Sequence, residues 1–142
     1  MGNPEPIRRY TVAEYLALEE TAEYRSEYFD GEIFAMAGGT GNHSRIGVAC
    51  MSILDGLLAN SPCEVFDGSL KIRIQDSNAY CYPDLSVVFG KPLFEGDKEL
   101  ILKNPMLIVE VLSKSTEGYD RGEKFQYYKQ IDTLRELSLI HI

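Results

Sequence analysis

Glu110 stands in Met106-Leu107-Ile108-Val109-Glu110-Val111-Leu112, a run in which every other residue is apolar. An unpaired carboxylate among such neighbours costs several kcal/mol or stays protonated. Glu110 therefore requires a basic side chain, backbone donors or a cation. Asp84 opens the preceding apolar run, Leu85-Ser86-Val87-Val88-Phe89. Alone, a Pro-Asp step reads as a turn. Set beside Glu110 on a neighbouring strand at a matching level, Asp84 completes an oxygen-rich site. Hard cations such as Mg2+ prefer such sites, with water and a substrate phosphate filling the remaining positions. A purely structural ion pair at Glu110 is the plain alternative.

Three further residues carry potential chemistry. Glu27 lies beside an Asp-Gly turn, where an exposed hairpin carboxylate is the simpler reading. Lys124 falls near the start of a helix, where the macrodipole disfavours a cation, although Asp120 four residues earlier shares its face. His43 follows Gly38-Gly39-Thr40-Gly41-Asn42 and opens a helix whose first amides could hold an anion. The glycine pattern matches neither a Walker loop nor a dinucleotide fingerprint, and a turn capped by Thr40 or Asn42 explains it as well. Ser113, Ser115 and Thr116 read as caps or turns, and no Gly-x-Ser-x-Gly elbow supports a hydrolase triad.

These residues need elements to hold them. Thr11 and Glu14 have capping-box spacing ahead of Val12, Tyr15, Leu16 and Leu18, which predicts a short helix over 11–20. Runs on either side of Asp30-Gly31 predict a hairpin. Ile46, Ala49, Cys50, Ile53, Leu54, Leu57 and Leu58 have helical spacing over 43–59. Strands are expected at 64–66, 70–74, 84–89 and 106–112, the last buried on both faces. Residues 90–105 read as a connection with a short helical piece. Asp120 and Glu123 give a second capping box, opening a helix to about Gln130, and a last strand begins at Leu137. The order predicts one α/β domain over residues 1–142 with a mixed central sheet flanked by helices. Residues 1–9 read as a loose arm. The chain stops in mid-strand, which reads as a C-terminally incomplete fragment.

Composition excludes several classes. The 142 residues are 44% hydrophobic and 25% charged, which is globular rather than disordered or collagenous. No apolar run approaches a membrane span, and the start does not read as a signal peptide. Cys50, Cys63 and Cys81 form no CxxC pair, so a disulfide framework or zinc ribbon is not expected. A reducing, cytoplasmic setting fits them. The net charge of −8 is unusual for a chain that grips phosphates. Carboxylates that bind a metal would reduce the repulsion.

The motifs combine into a family pattern. They are Tyr82-Pro83-Asp84-Leu85-Ser86-Val87-Val88, Asn104-Pro105-Met106-Leu107-Ile108-Val109-Glu110-Val111-Leu112-Ser113, Ser115-Thr116-Glu117 and Tyr119-Asp120-Arg121-Gly122-Glu123-Lys124-Phe125. Upstream stand Tyr28-Phe29-Asp30-Gly31-Glu32 and Met36-Ala37-Gly38-Gly39-Thr40-Gly41-Asn42-His43-Ser44. Together they resemble the Uma-two family of restriction endonucleases, part of the PD-(D/E)XK nuclease-like superfamily. The resemblance covers most of residues 10–137. It implies a restriction-endonuclease-like fold and a DNA substrate, with a homodimer as an option because two strands need two sites. It implies Asp84 and Glu110 as ligands of Mg2+ or Mn2+, Glu27 as a third acid, and Lys124 as the catalytic ammonium. The superfamily places a lysine two residues after the second acid, where this chain has Leu112. Lys114 stands where the family often has proline and is set aside. Under this reading, Lys71 and Arg73 contact the phosphate backbone or remain solvated edge residues, and His43 is a further candidate contact.

The reaction implied is metal-assisted phosphodiester hydrolysis. The alternative is a catalytically degenerate nuclease-fold module that binds nucleic acid or a protein partner. A more distant reading is a small-molecule phosphohydrolase on the same carboxylates.

Overall fold

The computed structural model describes residues 8–36, 38–74, 78–113 and 124–142. Helix α1 (Val12–Thr21) begins at Thr11, whose hydroxyl accepts from the Glu14 amide while the Glu14 carboxylate accepts from the Thr11 amide. Strands β1 (Ser26–Phe29) and β2 (Glu32–Ala35) form the expected hairpin. Asp30 and Gly31 both take positive φ, 45° and 94°, as a primed two-residue turn requires. Helix α2 (Gly41–Leu58) starts at Thr40, whose hydroxyl accepts from the His43 amide, so Thr40 and not Asn42 is the cap.

Strands β3 (Cys63–Phe66), β4 (Lys71–Ile74), β5 (Ala79–Cys81), β6 (Leu85–Phe89), β7 (Ile101–Leu102) and β8 (Leu107–Leu112) follow. Helix α3 (Phe125–Tyr128) and strand β9 (Glu136–His141) close the described chain. Residues 1–7 of the expected arm at 1–9 and the capping box at Asp120 and Glu123 lie outside the described residues. Two strands differ from expectation. β5 spans three residues, too few to display alternation. β7 replaces the short helical piece expected within 90–105, where Pro92 and the positive φ of Gly90 and Gly96 disfavour a helix.

The strands form two mixed sheets. The first runs β2-β1-β5-β4-β7, parallel only between β4 and β7; the second runs β3-β6-β8-β9, parallel only between β8 and β9. The shared core joins Phe29, Ile72, Ile74, Ala79, Cys81 and Leu102 of the first sheet region to Val88, Ile108 and Leu112 of the second, with Phe125 and Tyr128 of α3. Each large aliphatic side chain buried there contributes roughly 1.5–3 kcal/mol. A second cluster, Tyr15, Tyr28 and Tyr80, lies between α1 and the opposite face of the first sheet. Helix α2 packs on β3 and β8. Among the described residues, no helix is long and apolar enough to cross a membrane.

Strand periodicity then decides where the charges point. Glu27 shares the core face with Phe29, and Glu110 shares it with Ile108 and Leu112. Lys71 and Arg73 alternate with Ile72 and Ile74, so they fall on the α1 side of the first sheet.

Candidate active site

β6 and β8 are adjacent and antiparallel, with Leu85 opposite Val109 and Ser86 opposite Ile108. One further step of this register sets Asp84 opposite Glu110. The Val111 amide donates to Asp84 Oδ2 at 2.7 Å, which holds the carboxylate against β8. Glu110 Oε1 accepts from the Tyr128 hydroxyl at 2.5 Å and lies 3.0 Å from Lys124 Nζ. The same ammonium is 3.2 Å from Glu27 Oε2, an oxygen that also accepts from the Tyr82 amide at 2.8 Å. Glu27, Glu110 and Lys124 are each only 4% exposed. At the rim, His43 Nε2 lies 3.2 Å from Asp84 Oδ1, and these side chains retain 28% and 21% exposure. The site is thus closed at the Lys124 end and open at Asp84 and His43.

Three elements converge to build it. The β8 period carries Glu110 inward among apolar neighbours, and β1 does the same for Glu27. Lys124 and Tyr128 are four residues apart around α3, so both reach the same carboxylate. Leu112, two residues beyond Glu110 on the same face, is buried in the core. The ammonium beside the acids therefore comes from the approach to α3 and not from the strand.

Burial is the main cause that pushes the Glu110 carboxyl up from an ordinary 4.5 to about 8. The Lys124 ammonium and Tyr128 hydroxyl oppose this rise, while the neighbouring Asp84 and Glu27 charges add to it. At neutral pH Glu110 thus tends to hold a proton, chiefly because burial strips water from the charged form. Burial also holds the Tyr128 hydroxyl well above its usual range, so it remains a donor. The Cys81 thiol is likewise raised by burial, which makes it a core group and not a nucleophile.

Asp84, Glu110, Lys124 and Glu27 therefore come together, with His43 at the mouth. Glu27 is buried and paired, which corrects its reading as an exposed hairpin carboxylate. His43 meets Asp84, so a plain turn does not exhaust its role. Lys71 and Arg73 do not join the site. β4 is interior to its sheet, which corrects the edge reading. Lys71 is buried and lies 3.2 Å from Glu19 Oε2, while Arg73 bonds to Glu95. Both cations are engaged by carboxylates on the α1 side. Tyr128 and the Tyr82 amide are additions of the structure to the site; the four-residue offset of Tyr128 from Lys124 is the sequence signal for the first. Among the described residues, no three His, Cys, Asp or Glu side chains are grouped to hold an ion. The acidic pair that the strand register sets side by side is Asp84 with Glu110, while Glu27 lies on β1 beyond Lys124.

A family model, Uma2, described as "Putative restriction endonuclease", matches residues 12–141. The chain belongs to the Uma2 family. Membership gives it a nuclease-like role. Two proteins of Synechocystis sp., both named as uncharacterized, are 38% identical to this Uma2 chain. One aligns over 92% of this chain and 73% of its own, and the other over 95% and 70%. A crystal structure from Anabaena variabilis, described as "a putative nuclease belonging to DUF820", matches with a TM-score of 0.76 at 23% identity. It covers 93% of the Uma2 chain and 74% of its own. That likeness places the Uma2 chain in the same restriction-endonuclease-like fold.

Proposed function

We propose that this Uma2 protein is a divalent-metal-dependent endonuclease that hydrolyses phosphodiester bonds of DNA. The observation that carries the reading is the meeting of Asp84 and Glu110 across adjacent strands, with the Lys124 ammonium 3.0 Å from Glu110. The donor set fits Mg2+ or Mn2+: two carboxylates, one of them partly open, in a pocket with excess negative charge. Mg2+ is commonly held by one or two carboxylates, with water and substrate phosphate completing its shell. Asp84 and Glu110 would hold the ion, which when bound supplies Lewis acidity and charge neutralisation.

The chain's own groups do the rest. Asp84 and His43 form the mouth through which a phosphodiester approaches. Val111 fixes Asp84 through its amide, and Tyr128 fixes Glu110 through its hydroxyl. The Lys124 ammonium orients a water or stabilises negative charge that develops on the phosphoryl oxygens. Glu27 holds Lys124 in place from the other side.

One observation favours a second reading: Leu112 fills the position where the superfamily carries its strand lysine. A module that binds nucleic acid without cutting it is therefore the competing outcome. Cleavage of plasmid DNA and of a matched RNA with Mg2+ or Mn2+ and with EDTA separates the two. Removal of a single charge-stabilising donor typically costs 10²–10³ in rate, so Lys124→Met should lose about that much, and Asp84→Asn at least as much. Binding without cleavage supports the module. Equal cleavage by all three proteins means that the activity lies elsewhere.

A further inference from the structure

Glu19 lies on α1, across the first sheet from the site described above. Its Oε1 accepts from the Ser26 amide at 2.7 Å. Its Oε2 accepts from the Tyr82 hydroxyl at 2.6 Å and lies 3.2 Å from Lys71 Nζ. The Lys71 and Glu19 side chains are only 10% and 9% exposed. The Lys71 ammonium also sits 4.9 Å from the Tyr15 ring centroid and 5.6 Å from that of Tyr82, within cation–π range. A buried ion pair is a costly way to stabilise a sheet, which directs attention to what this one holds.

It holds both flanks of Glu27. Ser26 directly precedes Glu27 on β1. Tyr82 gives its own amide to Glu27 Oε2. The hydroxyl and the amide of Tyr82 are thus tied to two different carboxylates, Glu19 on the α1 face and Glu27 on the core face. Glu27 in turn contacts Lys124, and Lys124 contacts Glu110. We infer that Glu19, with Lys71 as its counter-ion, is a positioning residue that sets the Glu27 carboxylate against Lys124. No substrate reaches Glu19; it acts through Ser26 and Tyr82.

Only the kinetic arm of the test rests on the nuclease reading. Small displacements of catalytic groups cost rate steeply, so Glu19→Gln should lower kcat about tenfold or more with KM within about twofold. In a Glu27→Gln background, Glu19→Gln should cause no further loss, because its effect passes through Glu27. Independent, multiplying losses or an unchanged kcat would overturn the inference. The second arm is amide hydrogen exchange, which needs no activity. In Glu19→Gln the Tyr82 amide should exchange about tenfold faster while the Ile72 amide in the same sheet is unchanged, since local opening is separable from global unfolding. Equal acceleration at both amides, or none at Tyr82, overturns it. Because Glu19→Gln strands the Lys71 ammonium, Glu19→Gln/Lys71→Met is measured beside it with the same expectations. If the unsubstituted chain cuts no nucleic acid, the nuclease reading fails and the exchange arm alone decides the role of Glu19.

Discussion

Glu110 gives the proposed cation site a pH signature. Its carboxyl, pushed up to about 8 by burial, is protonated in about nine molecules of ten at pH 7. A ligating carboxylate must be ionised, so a divalent ion and this proton compete. Between pH 6 and 7 the apparent affinity for Mn2+ should therefore rise about tenfold, or about 1.4 kcal/mol, with the rise slowing near pH 8 and levelling off above about pH 9. Binding at pH 7 should release about 0.9 proton per ion. Isothermal titration with Mn2+ in two buffers of different ionisation heat measures affinity and proton release together. Glu110→Gln should abolish both the release and the slope. Lys124→Met should move the plateau to higher pH, since the ammonium lowers the Glu110 pKa. An affinity that is flat over this range, or proton release that survives Glu110→Gln, would refute the placement of the ion at this pair.

The same electrostatics set the stability of the ion-free protein. Raised from 4.5 to about 8 in the fold, Glu110 contributes stability that is complete below about 4.5 and is lost as pH climbs through 8. The slope reaches about 1.4 kcal/mol per pH unit; urea unfolding from pH 5 to 9 should show it, and Glu110→Gln should flatten it. Lys124→Met leaves two buried carboxylates without their ammonium and should cost about 3–5 kcal/mol at pH 9. The loss should shrink at pH 6, where Glu110 is neutral, and Glu27→Gln added to Lys124→Met should recover part of it in the same unfolding assay. Arg73→Ala removes a half-exposed pair with Glu95, worth at most about 1 kcal/mol. Because the guanidinium lies on the α1 side, the salt dependence of DNA binding, read by fluorescence anisotropy, should not change.

The parts of the site that the sequence discloses are those where a local rule is visibly broken. Glu110 interrupts an apolar strand, and a broken pattern of that kind demands a partner whatever the fold. Asp84 follows from it because it opens the other long apolar strand run, and such buried runs commonly pair, here across the short β7 that departs to the first sheet. Glu27 breaks nothing: a hairpin presents one face inward and one outward, and only the second sheet decides which. Alternation correctly separates Lys71 and Arg73 from Ile72 and Ile74, yet it cannot say that α1 covers the face they share. Division into two sheets is similarly invisible, since it depends on the three-residue β5 joining β1 to β4. Short strands draw their stability from neighbours and carry little signal of their own.

Leu112 and Lys124 show why spatial placement, more than sequence position, governs the chemistry here. A lysine at position 112 would point to the same face as Glu110, but that place is filled by a leucine packed in the shared core. The ammonium arrives instead from the α3 approach and is gripped from two sides, by Glu27 at 3.2 Å and Glu110 at 3.0 Å. At an effective dielectric of about 20, the contact with Glu27 is worth roughly 5 kcal/mol before desolvation, and the contact with Glu110 approaches that size only as its carboxyl ionises. The long lysine side chain therefore has a defined seat although it does not spring from the strand. The double variant Leu112→Lys/Lys124→Met tests this directly. If the chemistry needs only an ammonium beside Glu110, the transplanted lysine should restore part of the metal-dependent cleavage that Lys124→Met loses. If Glu27 must also hold that ammonium, removal of Glu27 should erase the restoration. Full activity in Lys124→Met alone would show that neither lysine position matters.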